Sequence, residues 1–541
     1  MTERLNGCEY LLDRLVADGH GERLALTGAA GDYTYAELLD RVRRTAAGLR
    51  GLGLEPEQRL LMVMSDSPDF VTLYLAAMRI GAIPVPVSTM LHADGIAELL
   101  QDSRARLLAL SPEFEAAGTD AVVAVGERAD LRRVLVGGAA VPDTIGGRPA
   151  HSVASLAGSA GDSGSAGDSG SAGDSGSAGD GSVYPTTADS PAFWLYTSGT
   201  TGTPKGAMHR HGSIKVVCET YAAQVLGIGP EDRCLSAAKG FFAYGLGNSL
   251  LFPLSVGAAA ILEPTPSRPD LLVERAQEFG ATLFFAGPTF FSNMLRGPVP
   301  ADALSGVRLA VSAGEALPAA LQQRWTSHFG IDILDGIGMT EMLHIFLSNR
   351  RGDIRAGTTG TAVPGYDLRI VDESGHDVPA GSPGTLLVRG ASAANGYWSR
   401  YDASRQVFQG EWLRTGDTYV QDEDGYYCCL GRTGDMLKVS GMWVSPAEVE
   451  GRLLEHASVA QAVVVGGLDA EDLVRPVAFV VLHPDHEATE DELIEFCRAG
   501  LPSFKRPRKV VFVGGYPTTP TGKIRRVELR ATAATVLVGA G

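Results

Sequence analysis

The chain has few cysteines, no long apolar run and a shortage of positive charge. Its 541 residues include only six cysteines, which form no CxxC pair and have no histidine at zinc-ligand spacing. Reduced thiols are therefore expected, and a disulfide framework is excluded. No apolar run is long enough to cross a bilayer, and the first residues lack the apolar core of a signal peptide. These absences predict a cytoplasmic protein that has no membrane partner.

The charge balance excludes a second class of partner. The chain carries 46 Lys and Arg against 63 Asp and Glu, a formal net charge of −17. So acidic a chain is not expected to bind nucleic acid or an anionic membrane. Its 45% apolar and 20% charged residues are typical of a globular protein. A chain of this length predicts about two to four domains.

The first 150 residues alternate between helical and strand patterns. Thr34 and Glu37 form a candidate capping box, and apolar residues follow at helical spacing until Gly51. Residues 59–64 and 83–87 are typical of strands, and residues 70–80 of a helix. This alternation resumes at 190 and continues to about 434, which predicts an α/β fold with layered helices and sheets.

Two segments interrupt this alternation. Residues 157–182 repeat Gly-Asp-Ser-Gly-Ser-Ala and contain no large apolar residue between 161 and 178, which predicts a flexible low-complexity insertion rather than a domain boundary. Near 435 the pattern changes to short strands and two helices, the first capped by Ser445. We therefore predict a large N-terminal domain, 1–434, and a small α+β C-terminal domain, 435–541.

Residues 196–206 carry the strongest functional signal. They read Tyr-Thr-Ser-Gly-Thr-Thr-Gly-Thr-Pro-Lys-Gly and follow the apolar run Phe193–Leu195, which is typical of a buried strand. Glycines let backbone N–H groups approach an anion, hydroxyls donate hydrogen bonds, and Lys205 adds positive charge. A helical pattern is predicted to follow, and strand, glycine-rich turn and helix commonly bind phosphate. The run is not a Walker A motif, and taken alone it could be a polar surface loop.

The run resembles the pyrophosphate-binding motif of the adenylate-forming enzymes, which include acyl- and aryl-CoA synthetases. The resemblance extends over nearly the whole chain, because the other family motifs follow in order, and it is strongest to the aryl branch that contains benzoate–CoA ligases. It implies a large AMP-binding domain with a small, mobile C-terminal domain. It also implies that the nucleotide phosphates are bound by Thr197, Ser198, Gly199, Thr200, Thr201, Gly202 and Lys205.

The same resemblance implies three catalytic residues. Lys523, in Pro-Thr-Gly-Lys-Ile-Arg, matches the lysine that bridges the substrate carboxylate and the α-phosphate of ATP; without the resemblance it could be an exposed turn lysine. Thr340 and Glu341, in Gly-Met-Thr-Glu, match a threonine that binds phosphate and a glutamate that holds Mg²⁺.

Further motifs imply a site for adenine and ribose. Asp417 and Arg432 match residues that contact the ribose, although Asp417 alone could be a turn former. Most relatives place an aromatic residue where this chain has Ile337, and the aryl-CoA ligases share the aliphatic choice. The other residues implied to line the adenine site are Gly314, Glu315, Ala316, Asp335 and Gly336.

Two aromatic, glycine-rich segments imply a pocket for an aromatic carboxylic acid. Its implied lining residues are Ala243, Tyr244, Gly338, His344 and Ile345. His344 either orients the substrate carboxylate or is a buried histidine with a backbone partner. Phe241 and Phe242 are expected in the core. Gly240 departs from the benzoate enzymes, which have an apolar residue there.

The C-terminal motifs imply a second half-reaction. Asp435 matches the hinge about which the small domain turns, and Gly441 matches the glycine that leaves room for a pantetheine arm, although it could be a strand bulge. The predicted enzyme uses ATP and Mg²⁺ to activate a benzoate-type acid and transfers it to CoA. The alternative acceptor is the phosphopantetheine of an acyl carrier protein. A non-catalytic nucleotide sensor and a luciferase-like oxygenase remain open, and either a monomer or a homodimer is compatible with the sequence.

Overall fold

A computed structural model describes residues 3–138, 141–158, 181–198, 203–439, 442–469, 473–484, 486–517 and 524–538. The capped helix predicted near the N-terminus is confirmed. The Thr34 side chain accepts a hydrogen bond from the Glu37 backbone N–H, and the Glu37 carboxylate accepts one from the Thr34 backbone N–H, at the start of helix Tyr35–Gly51. The apolar positions of this helix are buried, so its amphipathic pattern is what packs it onto the sheets.

Two mainly parallel sheets form the N-terminal body. Within the described residues, the larger sheet has nine strands, ordered Thr361–Ala362, Ile345–Ser348, Ile333–Gly338, Leu309–Ser312, Leu283–Ala286, Arg233–Ser236, Ala259–Leu262, Leu24–Gly28 and Tyr33–Thr34. The six strands from Ile333–Gly338 to Leu24–Gly28 are parallel. The second sheet, counted over the described residues, has six strands. Their order is Ile83–Pro86, Arg59–Val63, Leu107–Leu110, Arg133–Val136, Arg148–Ser152 and Thr144–Ile145.

Helices cover these sheets, which confirms the predicted α/β class. After Tyr35–Gly51 the α-helices of this part of the chain are Pro68–Arg79, Ala93–Ser103, Glu115–Val125, Val153–Gly158, His211–Val217, Ala243–Leu246, Phe252–Val256, Pro269–Glu278, Pro288–Arg296, Ala319–Phe329 and Tyr401–Val407. Wider π-helical turns occur at Glu9–Asp13, Val16–His20, Cys218–Leu226 and Gly247–Leu251. Of the helices that the structure describes, none is both long and apolar enough to span a membrane.

An antiparallel sheet follows the parallel ones along the chain. In the described ranges it contains five strands, Tyr366–Val371, Gly384–Gly390, Trp412–Gln421, Phe408–Gln409 and Tyr427–Arg432. Its buried residues, such as Leu386 and Tyr419, belong to the same apolar core as the helix Pro68–Arg79. The sheet is therefore packed onto the N-terminal body and not a separate unit.

A smaller layer lies beyond residue 435. It consists of a hairpin, Leu437–Val439 with Met442–Val444, and a sheet of Val459–Leu468, Val474–Leu482 and Lys509–Phe512. Helices Pro446–Leu454, Glu490–Gly500 and Arg526–Val538 cover it. The predicted cap is confirmed, because the Ser445 hydroxyl accepts a hydrogen bond from the Glu448 backbone N–H. This C-terminal part has its own apolar cores, as a separate domain does; its mobility and the boundary at 434/435 stay predictions.

Candidate active site

The hydroxyl-rich run joins two antiparallel strands, Pro191–Ser198 and Pro204–Arg210. Thr197 is paired with Lys205, one position from the connecting loop, so the hairpin carries both residues at its loop end. The other predicted loop residues, Gly199, Thr200, Thr201 and Gly202, lie outside the described residues, and so does the side chain of Ser198.

The prediction of a helix directly after Lys205 is wrong. Residues 204–210 form a strand, and the helix begins only at His211. Ala207 and His209 are both fully buried, which is the two-residue alternation of a strand. The strand also has partners on both edges. Along its outer edge, Met208 donates its backbone N–H to the Gly396 carbonyl at 3.0 Å, and Trp398 donates to Gly206 at 2.9 Å. Two rows of backbone hydrogen bonds override the local pattern.

His209 connects this strand to the turn that carries Thr340 and Glu341. Its Nε2 lies 2.8 Å from the Thr340 carbonyl oxygen, and its ring stacks on Phe193 at 5.0 Å between centroids. Burial lowers the pKa of His209 to about 4, so the ring is neutral at pH 7. Because the carbonyl accepts, the proton lies on Nε2.

Glu341 occupies the single helical turn Thr340–Met342 and is 7% exposed. One of its carboxylate oxygens accepts a hydrogen bond from the Tyr397 hydroxyl. Its backbone carbonyl accepts another from the Ala394 N–H at 2.8 Å. A single chain segment, 394–397, therefore holds both the backbone and the side chain of this glutamate.

The residues predicted to surround adenine lie at the carboxyl ends of two neighbouring parallel strands. Gly314, Glu315 and Ala316 follow the strand Leu309–Ser312, and Asp335, Gly336 and Ile337 lie in Ile333–Gly338. The edge where parallel strands end is where ligands bind in α/β sheets. Gly314 has a φ of +94°, a conformation that favours glycine. Burial raises the pKa of Asp335 well above its usual value.

Asp417 and Arg432 face each other across two antiparallel strands. The Arg432 Nε lies 3.1 Å from an Asp417 carboxylate oxygen. Asp417 is 8% exposed, whereas the Arg432 side chain is 60% exposed. Asp417 also receives support from Thr415, whose hydroxyl accepts its backbone N–H at 3.1 Å. The pair presents a buried carboxylate beside an exposed guanidinium, which also donates to the Thr415 carbonyl at 3.2 Å.

His344 is packed among aromatic rings. Its ring centroid lies 4.4 Å from that of Phe252 and 5.5 Å from those of Tyr221 and Tyr244. Its Nε2 lies 3.3 Å from the Tyr244 carbonyl oxygen, the backbone partner of the second interpretation. Burial lowers the pKa of His344 to about 3. A neutral ring with its proton on Nε2 has only a lone pair on Nδ1, so it cannot donate to a carboxylate from there.

The other predicted pocket residues adjoin this ring. Ala243 and Tyr244 start the helix Ala243–Leu246. Gly338 pairs with Ile345 across antiparallel strands, and a Cβ on Gly338 would lie only 2.6 Å from the His344 carbonyl oxygen. Glycine is required there because the backbones approach so closely. Five predicted residues are therefore adjacent in the fold.

The structure also explains why position 240 is a glycine. Its backbone N–H donates to an Asp66 carboxylate oxygen at 2.9 Å, and a Cβ would lie 2.9 Å from the Phe70 ring. Burial raises the pKa of Asp66 to about 6. Asp66 and Phe70, the latter on the helix Pro68–Arg79, therefore occupy the space that a larger side chain would need.

Asp435 is bound to the last helix of the C-terminal part. Its carboxylate forms an ion pair with Arg530, which also donates to the Gly434 carbonyl at 3.1 Å. Arg526 lies 3.8 Å away on the same helix. The other two residues implied in the C-terminal part, Gly441 and Lys523, lie outside the described residues.

Sequence reasoning did not single out His209 and Tyr397. The alternation of buried Ala207 and His209 is a signal for the first of them. Tyr397 follows Asn-Gly, a turn pair, and nothing local indicates that its hydroxyl reaches residue 341.

The whole chain is similar to known proteins. The family model for the AMP-binding enzyme matches residues 14–398, and the one for its C-terminal domain matches 448–523. Benzoate–CoA ligase of Thauera aromatica is 41% identical over 98% of this chain and 97% of its own. The crystal structure of a benzoate CoA ligase from Burkholderia xenovorans LB400 is 40% identical, with a TM-score of 0.86 over 97% of this chain and 99% of its own.

A second solved structure is the anthranilate CoA ligase AuaEII in complex with anthranoyl-AMP. It is 34% identical, with a TM-score of 0.89 over 99% of this chain and 98% of its own. Family model, sequence relatives and solved structures all cover both parts of the chain. The chain belongs to the AMP-binding enzymes.

Proposed function

We propose that the protein is an ATP-dependent, AMP-forming aryl acid–CoA ligase. It activates a benzoate-type carboxylic acid as an acyl adenylate with release of pyrophosphate, then transfers the acyl group to the thiol of CoA. The names of its relatives support this function, since benzoate–CoA ligase is 41% identical across nearly the whole chain. ATP, CoA and an aromatic acid are accordingly its small-molecule substrates.

One observation in the site favours an aromatic acid. The rings of Tyr244, Phe252 and Tyr221 surround His344, which is buried and neutral. A neutral imidazole that donates to the Tyr244 carbonyl would present a flat, uncharged face to a bound acid. Such a face suits a planar ring better than a flexible fatty chain. We therefore assign Ala243, Tyr244, Gly338, His344 and Ile345 to the ring of the substrate, not to its carboxylate.

The nucleotide would lie across the edge of the large sheet. Lys205 and Thr197, opposite each other in the hairpin, are suited to its phosphates. The fixed carboxylate of Asp417 is suited to accept hydrogen bonds from the ribose hydroxyls, beside Arg432. The described part of the chain contains no cluster of three or more His, Cys, Asp or Glu residues that could bind a metal ion without the nucleotide.

Glu341 is suited to hold Mg²⁺ together with the phosphates of a bound nucleotide. Magnesium commonly uses one or two protein carboxylates together with substrate phosphates and water, and Glu341 offers one buried carboxylate on a fixed turn. When bound, the ion would neutralise charge on the phosphates. Lys523 would bridge the acid and the α-phosphate in the first half-reaction. The segment with Gly441 would then admit the pantetheine arm after the small domain turns about Asp435.

The experiment is pyrophosphate release and thioester formation across benzoate, hydroxybenzoates, aminobenzoates, cinnamates and medium-chain acids, with and without CoA. We expect release with one or more benzoates and none with medium-chain acids. Lys523→Ala should abolish pyrophosphate release yet still convert supplied acyl adenylate to thioester. Gly441→Leu should spare pyrophosphate release and stop thioester formation. No release with any aryl acid would refute the proposal. A thioester formed with a holo carrier protein but not with CoA would show that the acceptor is the carrier.

A further inference from the structure

Tyr397 contacts the candidate site through Glu341. Its hydroxyl donates to Oε1 of this carboxylate, and its side chain is 6% exposed. The ring packs edge-on against Phe408, with centroids 5.4 Å apart. A phenol has one proton to donate, so it holds one carboxylate oxygen and leaves the other. The second oxygen of Glu341 accepts no hydrogen bond from the described residues.

The backbone of Tyr397 is fixed relative to Lys205. Tyr397 forms an isolated β-bridge with Ala207, and its N–H donates to the Ser404 hydroxyl at 3.0 Å. Its neighbours Gly396 and Trp398 are hydrogen-bonded to the strand that carries Lys205. The Lys205 ammonium lies 5.5 Å from the centre of the Tyr397 ring. One side chain thus contacts both the residue predicted for the phosphates and the residue predicted for the metal.

We propose that Tyr397 is a positioning residue: by holding one carboxylate oxygen of Glu341 it would leave the other oxygen available to the metal that would bind with the nucleotide phosphates. This inference depends on the proposed role of Glu341. Tyr397 would touch neither the metal nor the nucleotide, yet metal affinity would depend on its hydroxyl. Partners that orient a metal ligand commonly change affinity or activity by about 10- to 100-fold when they are removed.

The test is a titration of the full chain with Mn²⁺ in the presence of α,β-methylene-ATP. Electron paramagnetic resonance measures the bound Mn²⁺ at each step. Tyr397→Phe keeps the ring and removes the hydroxyl, and we expect its Mn²⁺ dissociation constant to rise about tenfold. The matched control is Tyr35→Phe, which removes another buried hydroxyl, one that donates to the Ala258 carbonyl at 2.7 Å; its Mn²⁺ affinity should not change. If Tyr397→Phe does not fold, Tyr397→Met serves as the variant without a hydroxyl.

A double mutant separates positioning from a general structural effect. If the hydroxyl acts through the carboxylate, Tyr397→Phe should weaken Mn²⁺ binding no further in a Glu341→Gln background. The inference is overturned if Tyr397→Phe binds Mn²⁺ as tightly as the wild type, or if its effect persists in full beside Glu341→Gln. Unchanged binding by Glu341→Gln alone would remove the metal role itself, whereas pyrophosphate release by the wild type tests the enzyme function independently.

Discussion

The imidazole of His209 lies 2.8 Å from the carbonyl oxygen of Thr340, and it connects the strand after the hydroxyl-rich loop to the turn that carries Glu341. Because the ring is fully buried and neutral, it acts as a fixed donor and not as an acid or base. His209→Leu should therefore slow pyrophosphate release about 10- to 100-fold, since small displacements of a catalytic turn have effects of this size.

The matched variant for this prediction is His209→Gln, whose side-chain amide can occupy the place of Nε2 and donate to the same carbonyl. We expect it to recover most of the rate. Single-turnover measurements on both variants would check this, and equal rates for Leu and Gln would show that the hydrogen bond is not needed.

Gly247 limits the position of His344. A Cβ at this residue would lie 2.3 Å from the His344 ring carbon Cδ2 and 3.2 Å from Phe252. Gly247→Ala must displace the His344 ring, because the added Cβ would overlap it. Overpacking of this kind commonly costs about 1–3 kcal/mol of stability. We expect the KM for the aryl acid to rise about tenfold and the KM for ATP to stay constant. Gly51→Ala, on a helix with nothing within 4 Å of the added carbon, is the control; an unchanged acid KM in Gly247→Ala would refute the assignment of the His344 ring to the substrate.

Asp435 offers a test of the hinge. Asp435→Pro restricts the backbone at the predicted pivot, so it should spare pyrophosphate release in the first turnover and slow thioester formation. Asp435→Asn keeps the backbone free and removes only the charge that pairs with Arg530. Rapid-quench measurement of both half-reactions distinguishes these effects, and an equal loss of both steps in Asp435→Pro would argue against hinge action.

The burial of His211 is expected to make the stability of the fold fall at acid pH. Its Nδ1 accepts the Gly7 backbone N–H at 2.9 Å, and burial lowers its pKa to about 3 from an ordinary 6.5. Between these values the unfolded state binds the extra proton, so the stability falls as pH falls. Each pH unit below 6.5 should cost about 1.4 kcal/mol through this group alone.

His211→Asn keeps an acceptor for Gly7 and cannot be protonated in this range. Urea unfolding at pH 7.0 and 5.5 should show a smaller loss of stability in this variant than in the wild type. His376→Asn changes a side chain that is 82% exposed and should not alter the pH dependence. A wild-type slope retained in His211→Asn would contradict the prediction.

Much of the fold could be predicted because it depends on local patterns. The capping box at Thr34 and the cap at Ser445 are short signals with one structural meaning, and both helices begin where predicted. The strand Pro204–Arg210 could not be predicted in this way. One edge of this strand pairs with the nearby strand Pro191–Ser198. The other edge bonds to residues 395–398, almost two hundred positions away, which no local window contains.

The candidate site shows the same division. The loop, the Thr340–Glu341 pair and the aromatic segments are contiguous motifs, so the sequence indicated them directly. The partners of those motifs come from distant parts of the chain: Tyr397 bonds Glu341, and Asp66 bonds Gly240. These contacts join residues far apart in the sequence, so they can be recognised only in the folded structure.

The ion pair between Asp435 and Arg530 gives the end of the chain an unexpected importance. Asp435, the predicted hinge residue, is attached through Arg530 to the helix Arg526–Val538, which also carries Arg526. This helix lies beyond residues 448–523, which the family model of the C-terminal domain matches. Removing it would nevertheless take away both arginines that contact Asp435. With Asp435 as the predicted hinge, a chain without this helix should still release pyrophosphate but form the thioester more slowly.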